Sequence, residues 1–555
     1  MSRKGIHITE FFLTAGIVIL INIIASQFFF RLDLTEDKRY TISQTSKDIL
    51  KELDDVVYVR VFLTGDMPAG FKRLEKSVKE MLDEFRIYGR DKIQYEFIDL
   101  MAETDPQMRS RMINQVTMRG IQPTNVYDKG KEGNVEKLIF PGALISYKKK
   151  EVPVLLLKGN KAAGSAEILN QSVEGLEFEL TSAIKQLIQK KRKSIAFVEG
   201  HGEYSARNLE DISQSISKFY DVYRVNLSRV KNLDIYDGLI IARPQTEFSE
   251  PEKLMLDQFI VNGGKVLFYL DALKIDMDSL AKGPNVAVAI NNNLDDMLFK
   301  YGVRVNQNLI QDLNSGYIPM SVGELGDKAE VKMMNWRYFP LLNTFGAHPV
   351  VKNIDAVYSK FVSGMDTVKA VGIRKTPLLL TSKYSKAYSA PVSVDLEQAR
   401  KKPDPAEFRQ GNIPVCYLLE GSFTSAYKNR PLPVKEAKFI AEGKPGKIIV
   451  CSDGDIIKNE TDQNGRTLPM GFDRASQQSF GNKDFVMNSV NYLLDEDDII
   501  DIRAKEVALR PLDKVKIRDD AAQWQVINLV LPVLLVLLFG VARYYVRKKK
   551  YESFR

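Results

Sequence analysis

Two long segments without a charged residue lie near the ends of the 555-residue chain. Phe11–Phe30 has twenty residues and Ala521–Ala542 has twenty-two. A helix of twenty residues is about 30 Å long, which matches the hydrocarbon thickness of a bilayer. Because neither segment has a polar face, each could instead be a helix buried in a protein core, but this alternative is less favoured. The first segment is longer than the apolar region of a signal peptide and lacks a clean cleavage site, so we predict two uncleaved membrane spans.

The stretch from residue 31 to residue 192 changes repeatedly between strand-like and helical patterns. Asp54–Thr64 is a β-branched run, and Ala69–Tyr88 has apolar residues at helical spacing. The order continues as β-α-β-α-β-β-α. This order is typical of a thioredoxin-like α/β unit. The stretch has no C-x-x-C motif, so no redox role is implied.

A second unit is predicted over residues 193–520, where short apolar strands again alternate with helices. Such alternation predicts a mostly parallel, doubly wound sheet. The pattern is interrupted at about 312–345 and 383–412, which are polar and are expected to be irregular. The predicted fold class is therefore α/β, with two membrane spans and two extracytoplasmic units.

The charge distribution predicts how the chain crosses the membrane. The net charge is +8, but residues 1–10 contribute +1 and residues 543–555 contribute +5. The 532 residues between them therefore carry only +2, which argues against a nucleic-acid-binding protein. The basic tail at 543–555 indicates a cytoplasmic end under the positive-inside rule, and Arg3 and Lys4 indicate the same for residues 1–10. We expect a periplasmic ectodomain between spans 11–30 and 521–542 of the bacterial cytoplasmic membrane.

Five polar residues follow predicted strands and are candidates for binding a ligand or partner. His201 and Glu203 lie in the loop after the strand that begins at Ser194, and Asp271 ends the strand KVLFYLD. Asp453 and Asp455 follow the strand KIIVC. Ligands of open α/β sheets bind beyond the carboxyl ends of strands, so these residues are suited to acid–base or cation chemistry. The favoured interpretation is simpler, namely glycine turns and helix caps.

The sequence lacks the common motifs that would predict an enzyme. The sequence has no Walker A motif, no dinucleotide-binding fingerprint and no G-x-S-x-G elbow. We therefore predict no catalytic residue, no metal site and no cofactor. Cys416 and Cys451 lie in predicted strands, and two buried free thiols are favoured over a disulfide. The run Lys190–Lys193 is interpreted as a solvated helix end.

A series of motifs in a fixed order gives the chain a family resemblance. They are RLDLTEDKRYTIS (31–43), EGHGE (199–203), YDGLIIARP (236–244), FIVNGGKVLFYLD (259–271), LDDMLFKYGVRVNQNLIQD (294–312), TPLLLTSKYS (376–385), IPVCYLLEGSF (413–423), IIVCSDGD (448–455) and GNKDFVMNSVNYLLDEDDIIDIRAK (481–505). The chain resembles the gliding-motility ABC transporter auxiliary family of GldG type, from gliding bacteria of the Bacteroidetes group. Members of that family are often labelled substrate-binding.

The resemblance implies partners and a fold. It implies a separate multi-span permease and a separate cytoplasmic ABC ATPase, in a system linked to surface gliding. The second unit also resembles class I amidotransferase-like domains. Asp271-Ala272 stands where their cysteine nucleophile is expected, so a non-catalytic relative is implied.

Three functions follow as hypotheses. The leading one is a non-enzymatic accessory subunit whose ectodomain couples the permease and ATPase to a cell-envelope partner or a substrate. The second is an ectodomain that delivers a solute to the permease. The third is a membrane-tethered hydrolase of peptidoglycan or glycan that uses His201, Glu203, Asp453 and Asp455.

Overall fold

The computed structural model describes residues 11–20, 41–130, 133–158, 165–189, 191–325, 328–434, 439–462, 464–494, 499, 502 and 520–552. The chain divides into two compact units, Met1–Glu506 and Val507–Arg555. Predictions for residues 1–10, 21–40 and 553–555, including the second half of the first span, lie outside the described residues. The part of the first span that is described forms the apolar helix α1, Phe11–Leu20.

A four-stranded sheet forms the first part of the larger unit. Its strand order is β2-β1-β5-β6, with β1 parallel to β2 and antiparallel to β5. The strands are β1 (Val57–Val61), β2 (Ile93–Phe97), β5 (Gly142–Tyr147) and β6 (Lys150–Leu155), and β3 (Thr124–Gly130) and β4 (Gly133–Ile139) form a separate hairpin. The helices of this part are α2 (Gln44–Lys51), α3 (Ala69–Gly89), α4 (Pro106–Met118) and α5 (Ser165–Ile188). Apolar side chains of α2, α3 and α5 cover the buried face of β1.

An eight-stranded sheet is the centre of the larger unit, in the order β17-β20-β23-β24-β10-β9-β7-β8. The five strands from β24 to β8 are parallel to one another, and the pairs β17–β20, β20–β23 and β23–β24 are antiparallel. The strands are β7 (Ser194–Glu199), β8 (Asp221–Asn226), β9 (Gly238–Ala242), β10 (Lys265–Tyr269), β17 (Thr344–Phe345), β20 (Ile373–Leu380), β23 (Pro414–Thr424) and β24 (Glu442–Cys451).

Helices pack on both faces of this sheet because successive strand residues point to opposite sides. Ile195 and Phe197 contribute to the core under α6 and α10, whereas Ala196 and Val198 contribute to the core under α7 and α9. These helices are α6 (Glu210–Ser217), α7 (Glu250–Val261), α9 (Asp295–Tyr301) and α10 (Asn482–Leu494), whereas α8 (Met277–Leu280) packs in the separate core around Trp336. The prediction of a mixed α/β architecture is confirmed.

Small antiparallel sheets occupy the connections, and here the sequence prediction was wrong. The stretch 312–345 contains two long paired strands, Ser315–Leu325 and Lys328–Leu342, and 383–412 contains two short strands. Their inner residues pack with Trp336 in a core of their own, which a polar average conceals. The strands are β11 (Leu273–Lys274), β12 (Asn285–Ala289), β13 (Val303–Val305), β14 (Asn308–Asp312), β15 (Ser315–Leu325), β16 (Lys328–Leu342), β18 (Val357–Tyr358), β19 (Met365–Thr367), β21 (Ser385–Ser389), β22 (Val392–Val394), β25 (Phe472–Asp473) and β26 (Gln478–Ser479).

Cys416 and Cys451 form a disulfide, so the expectation of two free thiols was wrong. The two residues lie directly opposite each other on the antiparallel strands β23 and β24, with a Cα–Cα distance of 4.1 Å. The amide N–H of Ser452 donates to the carbonyl of Val415 at 2.9 Å, so the cysteine pair falls between ladder hydrogen bonds. Side chains approach most closely at such non-hydrogen-bonded pairs.

The smaller of the two compact units, Val507–Arg555, contains the helix α11, Ala521–Glu552. Within it, Gln523–Lys549 is long and apolar enough to cross a membrane by length and composition. Pro532 lies inside the helix, and the apolar side chains around it are exposed. This helix contains the whole predicted second span at 521–542.

Candidate functional site

The carboxyl ends of four adjacent strands place the predicted site residues at one edge of the large sheet. These strands are β24, β10, β9 and β7, in that spatial order. The loops are held together by backbone hydrogen bonds, from Tyr204 to Ala242, from Arg243 to Tyr269 and from Leu270 to Cys451, at 2.8–3.1 Å. In open α/β sheets this edge is where ligands bind.

Three of the five predicted residues, Asp271, Asp453 and Asp455, form one cluster at this edge. Each oxygen of Asp453 accepts a backbone hydrogen bond, from Lys360 at 2.8 Å and from Asp455 at 2.7 Å. One oxygen of Asp271 accepts from the amide of Gly454 at 2.7 Å. The carboxylates therefore fix the loop after β24 and connect it to the loop after β10.

Two side chains that sequence reasoning missed complete this cluster. The Nε of Arg243 donates to the second oxygen of Asp271 at 2.6 Å, and the hydroxyl of Tyr204 donates to Asp455 at 2.7 Å. The guanidinium carbon of Arg243 lies 5.2 Å from the centroid of the Tyr204 ring. The available signal for Arg243 was a charged residue directly after β9, in the last position but one of the motif YDGLIIARP.

Burial governs the electrostatics of the cluster. It raises the pKa of Asp453 well above its usual range, and the charges of Asp455 and Asp271 raise that pKa further. The pKa of Asp271 is also raised, first by burial and then by Asp455, with Arg243 acting in the opposite direction. Burial and the neighbouring Asp455 raise the pKa of the Tyr204 hydroxyl. A buried acidic group in such a place stays in position only when its oxygens are hydrogen-bonded.

The loops that carry the cluster pack tightly against each other. A Cβ atom added at Gly454 would lie 2.6 Å from the Cβ of Arg243 and 3.0 Å from an oxygen of Asp271, so the loops are in tight contact. The cavity that touches Asp271 measures about 10 Å³. That volume holds one water molecule at most.

His201 and Glu203 form a second group with Glu252 of α7. Nδ1 of His201 lies 3.2 Å from Glu203, and Nε2 lies 3.3 Å from Glu252. The imidazole stacks on Phe248 with a centroid distance of 3.7 Å, and 5 % of its side chain is exposed. Within the described parts of the chain, no hydrogen bond or ion pair joins this group to the three aspartates.

Neither group is suited to holding a metal ion. Across the described residues, no set of three or more His, Cys, Asp or Glu side chains has the arrangement of a metal site. Glu252 also caps α7, because its carboxylate accepts from the backbone and hydroxyl of Ser249 at 3.0 and 2.6 Å. The glycine turn of the simpler sequence interpretation is present, since Gly200 and Gly202 have positive φ, but the described helix α6 that follows has no side-chain cap.

The protonation of His201 provides a testable pH dependence. Burial by itself would lower the pKa of His201, but hydrogen bonds to Glu203 and Glu252 raise it overall. Stability from the charged imidazole is therefore fully present below the unfolded pKa of about 6.5 and is lost as the pH rises through the folded value. We expect His201→Gln to cost about 1.5–3 kcal/mol at pH 6, the range for hydrogen bonds to charged groups, and less at pH 9. Urea unfolding at both pH values measures this.

His348 supplies the control, because burial lowers its pKa. Its neutral form stabilises the fold above the unfolded pKa, and that stability is lost as the pH falls. The cost of His348→Gln should therefore grow between pH 6 and pH 9. If the cost of His201→Gln changed with pH in the same direction as the cost of His348→Gln, the charged state of His201 would be contradicted.

Comparison with known proteins gives the chain a family. Residues 192–489, more than half of the chain, match the family model described as an ABC-type uncharacterized transport system, an auxiliary family. The chain belongs to the ABC transport auxiliary family. This family membership confirms the prediction of an ABC transport auxiliary protein and implies association with a permease and an ATPase in general. Together with the apolar helix α11, it indicates membrane association.

Other similarities extend along the chain without adding a function. Residues 36–146 match a domain of unknown function. An uncharacterized protein of Borreliella burgdorferi is 22 % identical, and the alignment covers 99 % of this ABC transport auxiliary protein and 100 % of its relative. Among solved structures, the N-terminal domain of mmIFT52 is 12 % identical with a TM-score of 0.31, and it covers 55 % of this chain and 99 % of that one. That score is too low to support an inference.

Proposed function

We propose that the chain is a non-catalytic auxiliary subunit of an ABC transporter in the bacterial cytoplasmic membrane. Its ectodomain couples the permease and the ATPase to an envelope partner or a substrate, and the system is of GldG type and linked to gliding. The family membership supports the transport role. The ordered motifs in the sequence support the link to gliding.

The observation that carries the non-catalytic assignment is the internal hydrogen bonding of the cluster at the strand ends. In an enzyme of this fold class, side chains at this edge must face a space that admits substrate. Here both oxygens of Asp453 are bound by backbone amides, and a cavity beside Asp271 measures about 10 Å³. The aspartates are therefore structural groups that tie loops together.

The proposed topology has two spans, with residues 1–10 and 543–555 in the cytoplasm and the ectodomain in the periplasm. The apolar helix α11 and the basic residues after position 542 support the second span. The Cys416–Cys451 disulfide supports an oxidising compartment for the ectodomain, since disulfides form in the periplasm and rarely persist in the cytosol.

The proposed domains are a thioredoxin-like unit at 31–192 and an amidotransferase-like unit at 193–520. The order β2-β1-β5-β6, with β1 and β2 parallel, supports the first assignment. The five parallel strands with helices on both faces support the second. Asp271 lies two residues after β10 and is bound by Arg243, and the cysteine nucleophile of amidotransferases is absent from that position.

A second candidate function, delivery of a solute, is favoured by one observation. An open cleft of about 690 Å³ lies beside α9, within the usual size range of ligand pockets. Its lining includes Asp295, Phe299, Arg304 and Arg430. Because Asp296 already binds Arg430 at 2.5 Å and Lys253 at 3.1 Å, part of this charge is used within the protein.

Asp455→Asn separates an accessory role from the hydrolase hypothesis. The amide keeps an oxygen that accepts from Tyr204 and removes the charge. We expect a deletion strain that carries this variant to glide at the wild-type speed within about twofold. If the protein were an enzyme that uses Asp455 as an acid or base, the variant would lose about 10²–10⁴-fold in catalytic rate. Asp366→Asn at an exposed ion pair is the control, and membrane-fraction immunoblots verify equal protein levels.

A further inference from the structure

A basic cleft of about 430 Å³ lies between the end of α5, the end of α6 and α10, away from the strand-end cluster. Four cations, Lys185, Lys191, Arg192 and Lys193, line it together with one acid, Asp237. The cleft includes most of the run at 190–193 that the sequence suggests is a solvated helix end. An excess of positive charge in a cleft attracts anions.

Several of these cations are held in place by the protein. Arg192 donates to the carbonyl of Tyr220 at 2.6 Å, and Lys193 donates to the carbonyl of Leu494 at 2.6 Å. Among the described residues, Lys191 has no hydrogen-bond or ion-pair partner and is exposed. The cleft therefore combines positioned cations with one ammonium group that is available to a ligand.

Two buried polar atoms at the cleft have no hydrogen-bond partner within the described structure, namely Oγ of Ser182 and Oε1 of Gln186. Nε2 of Gln186 donates to the carbonyl of Lys218, so its side chain is oriented. An unpartnered buried polar group is unfavourable, and a ligand that hydrogen-bonds to it removes that penalty. A hydroxyl beside basic side chains is a donor suited to a phosphate oxygen.

Part of the remaining lining of the cleft is apolar. Phe178, Phe219, Leu494 and Ile499 contribute to its lining. Free phosphate would not use such a surface, whereas an amphiphile would place its acyl carbons there. The chemistry of the cleft thus fits an anionic group joined to an apolar chain.

One end of the globular part of the chain lines this cleft, and the other end is bound to the helix α5 that contributes to the lining. The amide of Ser43 donates to Glu177, next to Phe178, and Ile499 lines the cleft itself. The first apolar segment ends thirteen residues before Ser43, a reach of at most about 45 Å. The second apolar segment follows Ile499 in the sequence. The membrane that these segments enter is therefore the nearest source of an anionic amphiphile.

We propose that this cleft binds an anionic phospholipid of the anchoring membrane, and this rests on the membrane topology proposed above. Lys191 and Ser182 contact the phosphate-bearing headgroup, and Phe178 and Phe219 contact the upper acyl carbons. Bound lipid then holds the ectodomain on the membrane surface with one fixed face.

The test compares two double variants of the full chain, purified in a mild neutral detergent. Ser182→Ala with Lys191→Glu changes the cleft. Ser213→Ala with Lys402→Glu is the matched control, because Ser213 Oγ is also buried without a partner in the described structure and Lys402 is exposed. Native mass spectrometry titrates phosphatidylglycerol, phosphatidylcholine and inorganic phosphate against each protein.

We expect wild type and control to prefer phosphatidylglycerol to phosphatidylcholine, and the cleft variant to bind phosphatidylglycerol roughly tenfold more weakly. Any of three results would overturn the assignment. They are equal lipid affinity in both double variants, no preference for phosphatidylglycerol over phosphatidylcholine, and a phosphate affinity equal to that for phosphatidylglycerol. Ser182→Ala alone should leave thermal stability unchanged or slightly raised. Carbonate extraction of cell membranes tests anchoring separately: a chain that stays in the membrane without lipid preference refutes only the cleft.

Discussion

Replacing Arg243 with alanine is expected to lower the free energy of unfolding by about 3 kcal/mol, the lower end of the cost of removing one partner of a buried ion pair, because the Arg243 and Asp271 side chains are 22 % and 13 % exposed. Arg243 donates to Asp271 at 2.6 Å. Without the guanidinium, Asp271 keeps its neighbour Asp455, whose charge already raises the pKa of Asp271. Urea titration of the full chain in detergent, followed by tryptophan fluorescence, measures the loss.

The matched control is Arg304→Ala. Arg304 binds Asp366 at a similar distance of 2.7 Å, but the two side chains are 56 % and 54 % exposed. Exposed ion pairs contribute about 0–1 kcal/mol, so this variant should unfold almost like wild type. Equal losses for Arg243→Ala and Arg304→Ala would contradict the buried cluster as the element that holds the strand-end loops together.

Removing the disulfide should have an effect of similar size. Cys416 and Cys451 are 35 residues apart in sequence, and closing a loop of that length stabilises the native state by about 4 kcal/mol through the entropy of the unfolded chain. We expect Cys416→Ala with Cys451→Ala to lower the free energy of unfolding by that amount. Denaturant titration with and without reductant measures it.

Reductant provides the internal control for this prediction. It should lower the stability of wild type toward that of the double variant and should leave the double variant unchanged. Wild type denatured without reductant should show no thiol that reacts with a maleimide dye. Two reactive thiols would support the free cysteines that the sequence favours and would also remove one argument for a periplasmic ectodomain.

The alternating architecture could be predicted from the sequence because its signals are local. Strand runs such as KVLFYLD and the capping residue Ser249 before α7 each define an element without reference to the rest of the chain. The long strands β15 and β16 could not be predicted in this way. Their core around Trp336 and Tyr338 is small and one-sided, so polar outward residues dominate the average.

The site could be predicted only in part, for the same physical reason. Asp271, Asp453 and Asp455 were recognisable because each follows a strand, but their convergence depends on the order β24-β10-β9-β7. His201 instead binds Glu252 of α7, a residue whose proximity depends on how α7 packs on the sheet. The disulfide depends on the register of β23 against β24, which places Cys416 opposite Cys451 and which pairing preferences alone do not define.

Co-purification of the full chain from its native membrane tests the auxiliary role most directly. The tagged chain is extracted in a mild detergent, and mass spectrometry identifies the proteins that remain bound, with the Asp455→Asn variant in parallel. We expect a multi-span permease and a separate ABC ATPase to co-purify with both forms. Recovery of the chain alone, or with envelope polymer only, would contradict the proposed function.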